Sequence, residues 1–372
     1  MQRVINYGSY LQAYGLKKTL EEFGHSVEFV DYKIERSLVD TSKESNGRFL
    51  KKMINLVKML STSYRRWRKQ QIQANQSFED FCQVFTRNYL PEMGITEVKN
   101  ECPELDVLVI GSDEVFNCTQ SGNMVGYSRQ LFGAEHQADK LISYAASFGS
   151  TTLAKLEEYG IDNEIREYLS KFDALSLRDQ NSLYVVKSLC GIKAQYHIDP
   201  VLLYSFPEVD KIQVSIKDYI IVYAYAGRIT DEEARVIRKF ARKRGKKLIC
   251  LGFWQTFCDD FILATPLETL AYIREADYVI TDTFHGTVFS IKYQKQFGTI
   301  IRESNRQKLS DLLIQFGLES HQIQRINELS QVLEQDIELK NIQNCIQEKR
   351  NEAKQYLRNE LVKKMGRSNG TN

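Results

Sequence analysis

The chain has 372 residues, a 42% hydrophobic composition rich in aromatics and a formal net charge of +2, which excludes a disordered chain and gives no global argument for nucleic acid. It is too long for one ordinary core, so two domains are expected. No run of about 18 apolar residues is present, the N-terminus lacks a secretory apolar segment, and seven scattered cysteines form no Cys-x-x-Cys pair; a cytoplasmic protein with reduced thiols and no metal is expected.

Asn6-Tyr-Gly-Ser9 leads into a helix that Ser9 is expected to cap, with Leu11, Tyr14, Leu16, Leu20 and Phe23 at its apolar positions and Gly24 closing it. Gly8 permits close backbone approach there, and the helix start offers unpaired N–H groups to an anion. Val27–Val30 then reads as a strand ending at Asp31. A helix–strand pair opening a doubly wound sheet should follow a first strand, so a strand upstream of this sequence is expected to be missing. Residues 40–95 break the pattern with a long helical, basic insert. Its Arg65-Arg-Trp-Arg-Lys69 cluster suits a solvated helix face or, alternatively, peripheral contact with an anionic membrane surface.

Strands follow at Val107–Ile110, Leu141–Ala145, Ala174–Leu177 and Ala194–Ile198, and their ends carry polar groups. Ser112 and Asp113 leave the first of these, suited to a sugar hydroxyl or phosphate, or to an ordinary strand-to-helix cap. Ser147 leaves the second. Arg178 leaves the third and suits a carboxylate or phosphate, unless it pairs with Asp179. Asp199, before Pro200, is a turn-forming cap or a base. A seam near Tyr204–Lys217 precedes a second set of elements: a strand from Tyr219 to Tyr225, a helix boxed by Thr230 and Glu233 and ending at Gly245, a strand Lys247–Leu251, a helix after Pro266, and strands Tyr278–Thr281 and Phe297–Ile301. The run Asp277-Tyr-Val-Ile-Thr-Asp-Thr-Phe-His285-Gly-Thr-Val-Phe-Ser290 turns a buried strand directly into a helix. It places an imidazole where open parallel sheets bind ligands. The tail from about Leu329 to Lys364 reads as helical and charged. The alternation of strand and helix signals argues for α/β architecture with parallel sheets. Phosphate-loop, full dinucleotide and nucleophile-elbow motifs are absent from the sequence.

Taken in order, Asn6–Tyr14, Gly24–Tyr32, Ile110–Asn117, Tyr144–Gly149, Ser176–Asp179, Asp199-Pro200 and Thr281–Ser290 resemble the polysaccharide pyruvyl transferase family. The resemblance implies two Rossmann-like domains facing across a cleft, as in GT-B glycosyltransferases: residues 1–206 with the helical insert, residues 207–328, and a helical tail 329–372. It also implies transfer of pyruvate from phosphoenolpyruvate onto a sugar, or a lipid-linked oligosaccharide, as a ketal during exopolysaccharide, capsule or cell-wall polymer synthesis, without a cofactor. Typical members carry a hydrophobic strand before the Asn-Tyr-Gly loop, and some carry arginine where this chain has Thr283.

On that reading His285 moves protons, and Asp199 and Asp113 are base or acceptor positions. Arg178 binds the donor carboxylate or phosphate, with Arg302 as a second candidate. Asn6, Gly8, Ser9, Ser112, Ser147, Thr283 and Gly286 complete the expected binding set, the helix starts at Ser9 and Gly286 facing phosphate oxygens. Two other classes compete: a nucleotide-sugar-dependent glycosyltransferase in the same cleft, and a non-catalytic subunit of a polysaccharide-assembly complex.

Overall fold

The computed structural model describes residues 3–35, 37–39, 76, 78–120, 126–335 and 339–362. The expected insert is described only from its end: residues 78–92 are helical, with a π-helical turn at Phe85–Tyr89, and the Arg65–Lys69 cluster lies outside the described residues. Two all-parallel sheets organise the rest. The first contains β1 (Glu104–Asp113), β2 (Gln137–Ala146), β3 (Ser176–Leu177) and β4 (Gln195–Tyr196), in that order. The second contains β5 (Tyr219–Tyr223), β6 (Lys247–Leu251), β7 (Asp260–Ile262), β8 (Tyr278–Thr281), β9 (Gln296–Ile300) and β10 (Gln322–Ile323). Its order is β10-β9-β8-β5-β6-β7.

Every residue of β5 is buried, the mark of a strand covered on both faces and therefore of a parallel sheet with helices on each side. The order of the second sheet reverses between β5 and β8. That reversal opens a crevice at the carboxyl ends of these two strands, the place where such sheets take ligands. Strands β7 and β10 were not expected, because three and two residues are too few to show a period.

Seven helices matter for the site: α1 (Tyr7–Glu22), α2 (Gln180–Cys190), α3 (Pro200–Leu203), α4 (Asp231–Arg244), α5 (Pro266–Glu275), α6 (Phe284–Lys292) and α7 (Arg306–Gln315). The Thr230–Glu233 capping box and the Gly245 stop of α4 are as expected. The cap of α1 is not. Asn6 rather than Ser9 closes that helix start, its Oδ1 accepting from the Ser9 N–H at 2.7 Å. Ser9 then sits inside the first turn, which frees its hydroxyl for another partner.

The expected strand at Val27–Val30 joins no ladder among the described residues; beside it Asp31 bridges to Glu101. Its apolar residues face a cavity of about 1120 Å³ whose opposite wall is the edge of β1 that β2 does not cover, including Leu105, Val107 and Val109. Side chains hold the segment instead: Lys17 donates to the Val27 carbonyl at 2.8 Å and Asn100 to the Phe29 carbonyl at 3.1 Å.

One buried cluster fuses the two sheets: Tyr7 and Leu11 of α1, Phe206 in the connection, Tyr219 of β5 and Phe289 of α6 all belong to it. A last helix, α8 (Leu339–Glu360), straps the halves together. Cys345 Sγ contacts the Gln315 carbonyl, Arg350 donates to the Leu202 carbonyl at 3.0 Å, and the Tyr356 hydroxyl donates to the Ser143 carbonyl at 2.8 Å. Lys140 pairs with Glu360 at 2.8 Å near its end. Among the described residues no helix is long and apolar enough to cross a membrane.

Candidate active site at the seam of two sheets

The carboxyl ends of the two sheets meet through side chains. Arg178, immediately after β3, places its Nη2 2.8 Å from Asp113 Oδ1 and its Nη1 2.9 Å from Asp199 Oδ2. Asp113 ends β1 with φ +76°, and its other oxygen accepts from the Ser9 hydroxyl at 3.1 Å. Asp199 is the N-cap of α3, its Oδ1 accepting from the Val201 N–H at 3.0 Å. From the second sheet, His285 in the first turn of α6 brings Nε2 to 3.7 Å from Asp199 Oδ2. The resulting chain Asp113–Arg178–Asp199–His285 crosses the seam.

Burial alone would raise the Asp113 and Asp199 carboxyls. Arg178 and His285 outweigh it at Asp113, and the His285 contact followed by the Arg178 charge outweighs it at Asp199, so both lie below the usual range. The same carboxylates hold the Arg178 guanidinium protonated against its own burial. Two neighbours complete the packing. The Phe284 ring lies 4.3 Å from the Arg178 guanidinium carbon. Gly8 presses on the imidazole, where a side-chain carbon would collide with the ring.

The structure therefore unites His285, Asp199, Asp113, Arg178, Asn6, Gly8 and Ser9 of the expected set. The remaining members do other work. Ser112 donates to the Ala145 carbonyl at 2.9 Å, tying β1 to β2. Ser147 accepts from the Gly149 N–H at 2.9 Å in a tight turn. Thr283 caps α6 by accepting from the Gly286 N–H at 2.9 Å, so that N–H is not free for a phosphate. Hydroxyls at strand ends are consumed by the backbone they would otherwise leave unpaired.

Arg178 and Arg302, the expected donor-binding arginines, already hold carboxylates. Arg178 is 7% exposed and both arms of its fork already carry carboxylates. Arg302 spends both terminal nitrogens on Glu233, at 2.6 and 3.0 Å. Arg178 also does not pair with Asp179, which instead caps α2 by accepting from the Ser182 N–H at 2.8 Å.

Sequence reasoning missed a second polar group beside the first. Asp282, directly after β8, is fully buried, and neither of its oxygens has a hydrogen-bond partner. Arg228, in the loop after β5, comes to 3.9 Å from Asp282, and Arg302 Nε comes to 3.6 Å. Burial raises the Asp282 carboxyl above its usual range, and the two guanidinium groups only partly offset it. The available signal was positional: Asp282 and Arg228 come after the two strands that flank the crevice.

A family model described as polysaccharide pyruvyl transferase matches residues 6–304. No curated protein matches the chain. Among solved structures, the spinosyn rhamnosyltransferase SpnG aligns over 96% of this chain and 97% of its own, at 11% identity and a TM-score of 0.42. The Arabidopsis thaliana protein UGT89C1, complexed with quercetin, aligns over 57% of this chain and 61% of its own, at 11% identity and a TM-score of 0.36. The chain thus spans less than two thirds of the Arabidopsis protein.

Proposed function

We propose a donor, an acceptor and a proton path for this chain, which belongs to the polysaccharide pyruvyl transferase family by the match over residues 6–304. The chain is a transferase, and on this reading it moves pyruvate from phosphoenolpyruvate onto two hydroxyls of one sugar in an exopolysaccharide, capsule or cell-wall polymer. The supporting observation is the approach of His285 Nε2 to 3.7 Å from Asp199 Oδ2 at the facing strand ends of two sheets. It sets one titratable group against a carboxylate that a buried arginine keeps ionised.

The chemistry divides into a protonation and two hydroxyl attacks. Imidazolium at His285 gives its proton to the methylene carbon of phosphoenolpyruvate, which becomes a methyl group and leaves an oxocarbenium-like centre at C2. The first sugar hydroxyl attacks C2 and returns its proton to the imidazole. The second hydroxyl then attacks as the C2–O bond to phosphate breaks, and its proton leaves with the phosphate. Asp199 faces the imidazole across 3.7 Å, and the contacts of His285 and Arg178 keep Asp199 and Asp113 charged. The acceptor is a sugar or a lipid-linked oligosaccharide, met at the cytoplasmic face of the membrane.

The test incubates the protein with phosphoenolpyruvate and a panel of oligosaccharide acceptors, following inorganic phosphate release and the new ketal methyl resonance. The expected result is stoichiometric phosphate and ketal, lost in His285→Ala. Ketal formation undiminished in His285→Ala would remove the proton path. Absence of phosphate release across the panel, with a nucleotide sugar transferred instead, would move the chain to the glycosyltransferase class.

A further inference from the structure

The seam network is electrically closed. Two carboxylates, Asp113 and Asp199, take both arms of Arg178, and His285 faces Asp199, so a doubly or triply charged enol phosphate meets no spare guanidinium there. A cation must come from elsewhere in the crevice. The crevice lies between the ends of β5 and β8, and the loop after β5 carries Arg228.

Arg228 differs from the two saturated arginines. Its side chain is 40% exposed, and the carboxylate closest to it, Asp282, stays at 3.9 Å without a hydrogen bond. Its guanidinium carbon lies 4.7 Å over the Tyr225 ring, and its long contact with Asp282 leaves hydrogen-bonding capacity on its N–H groups. Tyr225 in turn lies in contact with Phe253, ring centres 5.2 Å apart, so the platform is itself braced. The platform follows Tyr223, whose carbonyl accepts from the Thr281 hydroxyl at 2.6 Å, and Thr281 meets the Thr283 hydroxyl that caps the helix carrying His285. Asp282 shares the site as a buried carboxylate with no hydrogen bond of its own, next to a second guanidinium at 3.6 Å. It orients Arg228 without saturating it.

We propose that Arg228 is the residue that binds the donor's phosphate, with Tyr225 as its platform and Asp282 as its positioning residue. This rests on the pyruvyl-transfer reading for the identity of the donor, though not for the existence of the anion subsite. It also explains how the chain manages without an arginine at position 283: the cation enters from the neighbouring strand end.

Calorimetric titration of the full chain with phosphoenolpyruvate, a uridine diphosphate sugar and inorganic phosphate tests this, using wild type, Arg228→Met, Arg228→Lys and the surface control Arg235→Met. Thermal unfolding of each variant checks that the fold is intact. The expected result is a loss of at least about tenfold in phosphoenolpyruvate affinity for Arg228→Met, part recovery in Arg228→Lys and wild-type binding in Arg235→Met. Affinity within twofold of wild type in folded Arg228→Met would overturn the assignment. If wild type binds the nucleotide sugar or phosphate but not phosphoenolpyruvate, and Arg228→Met loses that binding, the subsite stands and the proposed donor falls. Wild type binding none of the three overturns both.

Discussion

Gly8 of α1 lies against the imidazole of His285, so closely that any side chain at position 8 would occupy the space of the ring. Gly8 belongs to α1 and His285 to α6, which follows β8 of the second sheet. Gly8 is in the first turn of a helix, where alanine would by itself add up to about 1 kcal/mol of stability. Gly8→Ala therefore separates site geometry from helix stability. If His285 moves protons as proposed, the expected outcome is a fall in kcat of about a hundredfold or more, because a misplacement of the order of an ångström at such a group has that effect. Steady-state kinetics beside thermal unfolding provide the check; retention of wild-type kcat would mean that His285 has no need of its present position.

Arg178 gives a prediction about stability before one about activity. Removing it leaves Asp113 and Asp199 buried at 8% and 3% exposure with no cation between them. Arg178→Met should destabilise the protein by about 3–5 kcal/mol in urea denaturation, and adding Asp113→Asn should restore part of that loss. A freely projecting donor-binding arginine behaves otherwise, with stability changing by less than about 0.5 kcal/mol and the effect confined to KM.

The difference between these two roles for Arg178 shows where sequence reading reaches its limit. Strand β8 is found at its expected bounds, Tyr278–Thr281, because a β-branched run stopping at Asp282 is a local signal. The capping boxes of α4 and α5 are local as well. The partners of Arg178 lie 21 and 65 residues away, and nothing near Leu177 distinguishes a fork filled by carboxylates from one open to a ligand. Phe284 over Arg178, and Arg228 over Tyr225, depend in the same way on which strands the topology makes neighbours. The mistaken cap at Ser9 has a smaller cause: Asn6 and Ser9 are both good caps three residues apart, and the Asp113 contact decides between them.

His197 should make the fold sensitive to mild acid. The ring is 5% exposed, its Nδ1 shares a 2.8 Å hydrogen bond with the Ser176 hydroxyl, and it packs between Tyr144 and Tyr356. Burial lowers it from 6.5 to about 4. Between those values the unfolded chain binds the proton and the folded one does not, so stability is full above about pH 6.5 and falls as pH drops toward 4. The gap corresponds to about 3 kcal/mol at its full extent. The depressed carboxyls of Asp113 and Asp199 act in a lower window, below 3.8, where stability present at higher pH is lost as they protonate. Urea denaturation at pH 7, 6, 5 and 4 should show this slope in wild type and a shallower one in His197→Asn. Parallel slopes for the two proteins would assign the acid loss to other groups, with buried His321, lowered in the same direction, the first to examine.

Thr283 spends its hydroxyl on the start of α6. Its hydroxyl accepts the Gly286 N–H and meets the Thr281 hydroxyl at 3.1 Å, and Thr281 in turn donates to the Tyr223 carbonyl at 2.6 Å. This chain of hydroxyls pins the start of α6, and with it His285, to the end of β5. Thr283→Val keeps the shape but removes the cap, so about 1 kcal/mol of stability should be lost. Because the first turn of α6 holds the imidazole, kcat should fall further than KM rises. Thr283→Ser should restore both, since the hydroxyl alone carries the cap. Thr283→Arg is expected to misfold: position 283 is 6% exposed, and no charged partner for a guanidinium stands among the groups that its hydroxyl meets. If instead Thr283→Arg folded and bound phosphoenolpyruvate more tightly than wild type, the anion would be held from α6 itself, and Arg228 would lose its place as the donor's cation.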